Sequence, residues 1–199
     1  MIKTLLFLAS AAALSLAVPD EVVTKAIVRL DGTGINGAIT FSQLPNGNLR
    51  ISGKITGMPP GMYGFHVHEK GDLTNGCLST LGHFNPNGND HGHPSDENRH
   101  VGDLGNVSFD GNNVAIVDFE DHQIKLSGPH NIIGRGVVLH EKADDFGKTD
   151  HPDSKKTGNA GGRVACGVIG ILEGHLANAS PAIIKTSILI ISLLPIMFL

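Results

Sequence analysis

Six histidines and one aspartate stand out by type and spacing: His66, His68, His83, His91, His100, Asp103 and His140. His66 and His68 sit in Tyr63-Gly64-Phe65-His66-Val67-His68. The two-residue period of a strand puts Phe65 and Val67 on one side there and both imidazoles on the other. Two imidazoles at i and i+2 can chelate one ion, and His100-Val101-Gly102-Asp103 adds an imidazole and a carboxylate within one turn of chain. Imidazole suits copper and zinc. A nitrogen set with one carboxylate and no thiolate excludes an iron–sulfur cluster or a four-cysteine zinc knuckle. The ligand types point to a two-metal site of copper plus zinc.

Short strands must position these groups. Glycine numbers 26 of 199 residues with no collagen-like period, which reads as many tight turns, and helical periodicity is almost absent. Alternating or fully apolar runs predict strands at Val22 to Leu30, Gly37 to Phe41, Leu49 to Thr56 and Met62 to His68. Further strands are predicted at Val114 to Phe119, Gln123 to Ser127, Ile133 to His140 and Arg163 to Leu172. Turn signals such as Asp31-Gly32, Asn46-Gly47 and Asp110-Gly111-Asn112-Asn113 separate several of them. That spacing predicts an all-β, antiparallel sandwich or barrel. Two long segments, Glu69 to Gly105 and Glu141 to Gly162, are rich in Gly, Asn, Asp, Pro and His. Loops this long are usually functional or disordered. The first holds His83, His91, His100 and Asp103 and the second holds Lys142, Asp144, Lys155 and Lys156, so both are expected to be ordered by metal and charge.

The two ends differ from the middle. Met1-Ile2-Lys3 precedes the apolar run Leu5 to Leu16, then Ala17, which is the order of a secretory signal over residues 1–17. Residues 178–199 begin with small residues Asn178, Ala179 and Ser180 and end in an apolar run whose one charge is Lys185. This resembles a signal for replacement by a glycolipid (GPI) anchor; a retained membrane segment and a buried C-terminal helix are the other readings. Between them, residues 18–177 suffice for one domain. The chain carries a formal net charge of −4, and removal of Lys3 and Lys185 with the ends makes the remainder more acidic, so no nucleic-acid signature is present. Cys77 and Cys166 are far apart and outside any C-x-x-C motif. In an oxidising compartment they read as one long-range disulfide, with two buried free thiols as the other reading.

Four blocks in order, Gly64-Phe65-His66-Val67-His68, Gly82-His83-Phe84-Asn85-Pro86, His100-Val101-Gly102-Asp103-Leu104-Gly105-Asn106 and Gly158-Asn159-Ala160-Gly161-Gly162-Arg163-Val164-Ala165-Cys166-Gly167-Val168-Ile169-Gly170, resemble the copper–zinc superoxide dismutases. The resemblance spans about Thr24 to Leu172. It implies an eight-stranded antiparallel Greek-key β-barrel or sandwich with two long functional loops. It also implies copper, Cu(2+), on His66, His68, His83 and His140, and zinc, Zn(2+), on His83, His91, His100 and Asp103, with the His83 ring bridging the two.

The implied activity is dismutation of superoxide to dioxygen and hydrogen peroxide, in extracellular antioxidant defence, with His83 carrying one proton. Asp144 matches the carboxylate that links a copper histidine, His66, to a zinc histidine, His91. Arg163 matches the arginine that orients the substrate anion, and Lys142 and Lys156 would extend a positive funnel toward it. His93, His122, His130, His151 and His175 match no ligand position. The resemblance further implies a homodimer through Ile133, Gly134, Val168 and Ile171, although Lys70 puts a cation where relatives often carry an apolar residue. A metal-sequestering or copper-delivery module at the cell surface is the alternative to the enzyme. Asn106-Val107-Ser108 and Asn178-Ala179-Ser180 are glycosylation sequons.

Overall fold

A computed structural model describes residues 21–176; the expected signal at 1–17 and the tail at 178–199, with Asn178, lie outside the described residues. Ten strands follow in chain order: β1 (Glu21–Gly32), β2 (Ile35–Gln43), β3 (Leu49–Thr56), β4 (Gly61–Val67), β5 (Thr74–Cys77), β6 (Asp103–Phe109), β7 (Val114–Asp121), β8 (Gly136–His140), β9 (Arg163–Val168) and β10 (Gly170–Leu176). Their hydrogen-bonded order is β6-β4-β8-β9-β1-β2-β3-β7, with β10 also on β1. β6 and β7, the two ends of that path, lie side by side, so the antiparallel barrel is nearly closed.

The alternation of side chains explains the wall. In β3, Leu49, Ile51 and Ile55 are fully buried while Arg50 and Lys54 face solvent. The register carries the pattern across strands, pairing Phe41 with Ile51 and Ile51 with Phe119. The interior fills with Val28, Leu30, Ile39, Phe41, Phe65, Val67 and Leu139, which form one apolar cluster.

The structure corrects several element boundaries. Gln123 to Ser127 forms no strand: Asp121 Oδ1 accepts from the Gln123 and Ile124 N–H groups, and only a Lys125–Asn131 bridge remains. Ile124 and Leu126 are buried, which produced the alternation without a partner strand. The strand expected from Ile133 starts at Gly136, after a turn in which Gly134 has φ +78°. Arg163 to Leu172 is interrupted at Ile169, giving β9 and β10. The first long loop contains β5, a 3-10 turn at Leu78–Thr80 and the start of β6, a strand hidden in sequence behind Gly105 and Asn106. The second contains a short helix, α1 (Ser154–Thr157). Among the described residues, no helix is long and apolar enough to cross a membrane.

Candidate metal centre

His66, next to last in β4, lies on the side opposite Phe65 and Val67, as the alternation predicts, yet it is fully buried because the long loops cover that outer face. The covering loop is stitched to the barrel through backbone: Phe84 N–H donates to Val67 O, Gly102 N–H to Phe84 O, and Val67 N–H to Gly102 O, each at 2.9 Å. A Cβ on Gly102 would lie 2.1 Å from Val67 O, so this three-way approach needs glycine. It brings His83 beside His68, with which it forms a bridge, and sets His100 and Asp103 on either side of Gly102. His140 arrives from the end of β8 and pairs with Arg163 of β9 across a register shift.

The histidines fall into two groups sharing one member. His66, His68, His83 and His140 offer ligand atoms within 4.8 Å of one another, and so do His83, His91, His100 and Asp103. In His66, His68, His91 and His140 one ring nitrogen is anchored by an oxygen outside its group, leaving the other free of that anchor. His66 Nε2 is 2.9 Å from Asp144 Oδ2, His68 Nδ1 is 2.8 Å from Leu81 O, and His140 Nδ1 is 3.2 Å from Gly161 O. That leaves His66 Nδ1 buried without a partner, and His68 Nε2 faces His140 Nε2 at 3.3 Å. His83 Nδ1 points at Asp103 Oδ1 at 2.8 Å and His100 Nδ1 at 3.4 Å, while its Nε2 has no partner. His91 Nε2 is held by Asp144 Oδ1 at 2.8 Å. Its Nδ1 lies 2.9 Å from Asp103 Oδ1 but out of line for a hydrogen bond, so it is close and unsatisfied. Orphaned buried polar atoms are rare and call for an explanation. Here three of them converge with the remaining ring nitrogens and one carboxylate, which is the donor set a pair of cations requires. The residues fit such ions.

The electrostatics agree. Burial, then the neighbouring His83, holds His66 and His68 well below the ordinary histidine value, and the same causes bring His140 to about 4. Burial lowers His83 as well. These rings are therefore neutral and ready to donate lone pairs at neutral pH. His91 is the exception: burial opposes its protonation, but Asp103 and Asp144 outweigh it and raise the ring to about 9. Both carboxylates sit well below the usual range despite burial, because His100, His83 and His91 surround Asp103 and because His66 and His91 donate to Asp144.

Asp144 is the link between the groups that the sequence anticipates, 3% exposed and bonded at once to His66 and His91. Arg163 is half-buried beside His140, and its guanidinium is fixed by Cys77 O at 2.6 Å, Thr80 Oγ1 at 2.9 Å and Leu81 O. Cys77 and Cys166, 89 positions apart in sequence, form a disulfide, and it ties the loop supplying those carbonyls to β9. Lys142 and Lys156 are exposed; Lys142 lies 3.9 Å from Glu141, which offsets part of its charge. Asn106 is half-buried with its side chain bonded to the backbone of Asp144.

Two contributors were not legible beforehand. Arg99 is fully buried, donates to the carbonyls of His100, Val101 and Asp103, and pairs with the carboxylate of Asp121. It braces the loop that carries His100 and Asp103, and nothing in its Gly- and Asn-rich surroundings marks it. Leu81 adopts φ 61°, ψ −144°, a conformation sparsely used outside glycine, and its carbonyl serves both His68 and Arg163.

Comparison with known proteins gives the same answer. A solved structure of the clock protein EA4 superposes with a TM-score of 0.74 at 64% identity, covering 81% of this chain and 100% of that one. The family model for copper/zinc superoxide dismutase (SODC) matches residues 35–169. That stretch takes in every residue of both histidine groups, Asp144, Arg163 and both cysteines, and the chain belongs to the copper/zinc superoxide dismutase family.

Proposed function

We propose that this chain dismutates superoxide, converting two superoxide anions and two protons to dioxygen and hydrogen peroxide. Copper would be held by His66, His68, His83 and His140, and zinc by His83, His91, His100 and Asp103. When bound, copper supplies a one-electron couple that accepts an electron from one superoxide and returns it to the next, while zinc is redox-inert and holds geometry. The observation that carries this reading is the sharing of His83 between the two groups, its Nδ1 toward Asp103 and His100 and its Nε2 buried without a protein partner.

The chain's own residues account for the remaining requirements. Arg163 offers a fixed cation beside His140; its anchored N–H groups leave others to meet an anion, and so orient the substrate. Asp144 holds the His66 and His91 rings by their outer nitrogens, so the inner ones stay aimed at the ions. His83 Nε2, buried and without a protein partner, is the atom at which a proton for the product can be held. Lys142 and Lys156 add positive potential that salt would screen.

The test is superoxide turnover by the full chain loaded with copper and zinc, beside His140→Ala with metal content measured on both. Rapid turnover is expected in the parent. The loss in the variant should exceed the roughly 10–100-fold effect of removing an outer-sphere partner. A parent that is fully loaded and inactive would hand the site to the second reading, a metal-binding module without turnover. The similarity to a protein described by a timing role rather than a chemistry keeps that reading in view.

The remaining proposals rest on sequence and surface. The signal-like and anchor-like ends support an extracellular enzyme tethered to the outer face of the plasma membrane; release from cells by phosphatidylinositol-specific phospholipase would support the tether, and retention would count against it. Val168 and Ile171 are 39% and 48% exposed, as a homodimer patch requires. Lys70 pairs with Glu69 at 3.2 Å, so its charge would not be buried alone. Sedimentation of the purified chain as a monomer at micromolar concentration would remove the dimer.

A further inference from the structure

Asn106 stands in β6 opposite Gly64 of β4. Its side-chain amide makes two bonds to a single residue of the second long loop: Nδ2 donates to Asp144 O at 2.9 Å and Oδ1 accepts from the Asp144 N–H at 2.8 Å. This is the way one strand grips the next, performed here by a side chain on a residue 38 positions away. With its peptide groups gripped, Asp144 has only its side-chain torsions left to set. Those are taken up by His66 Nε2 on Oδ2, and by His91 Nε2 and the Phe146 N–H on Oδ1, the last at 2.7 Å. The far side is closed by Gly158, where a Cβ would fall 1.9 Å from Asp144 Oδ1 and 2.5 Å from His91 Nε2.

We infer that Asn106 is a positioning residue for both metal groups, acting through the Asp144 backbone on the rings of His91 and His66. The inference rests on the reading of those groups as metal sites. Few side chains can take its place: aspartate loses the donor and turns an anionic oxygen toward a carbonyl, alanine loses both bonds, and serine is too short to span both peptide groups. The same geometry reassigns the sequon at Asn106-Val107-Ser108. A sugar on Nδ2 would replace one of its two hydrogens and need space on a half-buried amide already facing Asp144. The amide belongs to the grip rather than to a glycan.

The test is a double-mutant cycle on the full chain. Zinc affinity is read by competition with a chromophoric chelator for the parent, Asn106→Ala, Asp144→Ala and the double variant. Asn106→Ala should weaken zinc binding on the order of 10-fold, at the low end for an outer-sphere partner, and the double variant should bind zinc no more weakly than Asp144→Ala alone. A purely structural role would lower the melting temperature of the metal-free protein and leave zinc affinity unmoved. Unchanged affinity in Asn106→Ala, or losses that add in the double variant, would overturn the inference. So would a glycosidase-sensitive mass on Asn106 in protein with parental zinc affinity. If Asn106→Ala does not fold, Asn106→Asp keeps the volume, removes the donor and runs the same cycle. The dismutase reading fails separately: a parent that binds both metals and turns over no superoxide leaves the cycle interpretable, while additive losses in an active enzyme sink the inference alone.

Discussion

The wall formed by β2, β3 and β7 and the covered face of β4, β8 and β9 obey the same alternation and put it to opposite use. On the wall, inward residues such as Ile39, Ile51 and Val117 fill the core, and outward ones such as Arg50, Lys54 and Asp118 meet water. On the covered face the inward residues are again apolar, Phe65, Val67 and Leu139, but the outward ones are His66, His68 and His140, all nearly inaccessible. A polar side chain in water needs no protein partner, whereas a buried one costs free energy unless it is satisfied. The wall is therefore held by burial of apolar surface. The covered face is held by a network in which His66, His68 and His140 each have one nitrogen anchored by an oxygen, of Asp144, Leu81 and Gly161 respectively. The two regions should answer differently to acid, to cavities and to loss of charge.

Acid should separate them most. In the metal-free protein His66, His68, His83 and His140 are all lowered from the ordinary 6.5, His140 to about 4. The unfolded chain takes up protons near pH 6.5 that the native state refuses, so stability falls as pH drops from about 6.5 through about 4. Each such histidine contributes up to about 1.4 kcal/mol per pH unit over its window. His91, raised to about 9, works the other way: its contribution is complete below 6.5 and fades as pH rises through about 9. Denaturant midpoints of the metal-free protein should fall steeply below pH 6.5 and only gently toward pH 9. Bound ions compete with protons for the same nitrogens, so loading should carry stability further into acid. A midpoint that stays level from pH 7 to pH 4 would mean that the covered face is not held as described.

A cavity in the wall should leave the metal groups alone. Ile51 is fully buried between Phe41 and Phe119, and Ile51→Ala should cost about 2–5 kcal/mol of stability. Zinc affinity of the folded protein, read by chelator competition, should not move. If it drops in step with stability, the core and the metal groups are one cooperative unit and the contrast between them is lost.

What could be read from sequence follows the same division. The strands of the wall are legible because Leu49-Arg50-Ile51 and its neighbours show period two with water on one side. The groups that could hold a metal are legible because imidazole pairs and a nearby carboxylate are rare enough in type and spacing to signal one. The apparent strand at Gln123 to Ser127 misleads because Ile124 and Leu126 pack into the apolar core from an irregular segment, and burial alone imitates alternation. The start of β6 is hidden because Gly105 sits at φ +79° within the strand, where a glycine reads as a turn. Arg99 and Asn106 escape notice for a shared reason. Their work is done on backbone atoms, Arg99 on the carbonyls of its own loop and Asn106 on Asp144 in another, and no spacing rule encodes such contacts.

The smallest effect is also the cleanest comparison, because one chemical change can be made in both regions. Asp118 receives Arg50 Nε and Nη2 at 2.7 Å each, and Asp144 receives His66 and His91 at 2.9 and 2.8 Å. The bond lengths alone would rank Asp118 as the stronger site. Exposure reverses the order: the Arg50–Asp118 side chains are 53% and 51% accessible, and those of His66 and Asp144 are 0%. Water competes for the surface pair, and ordering two mobile side chains offsets much of its attraction. Asp118→Asn should therefore leave the unfolding midpoint where it is, within the precision of a denaturant titration. Asp144→Asn changes the same atoms, but one oxygen becomes an N–H aimed at a ring nitrogen with no water to relieve it, so zinc affinity should fall measurably. Equal responses at the two positions would show that hydrogen-bond geometry, and not burial, sets the strength of carboxylate contacts in this protein.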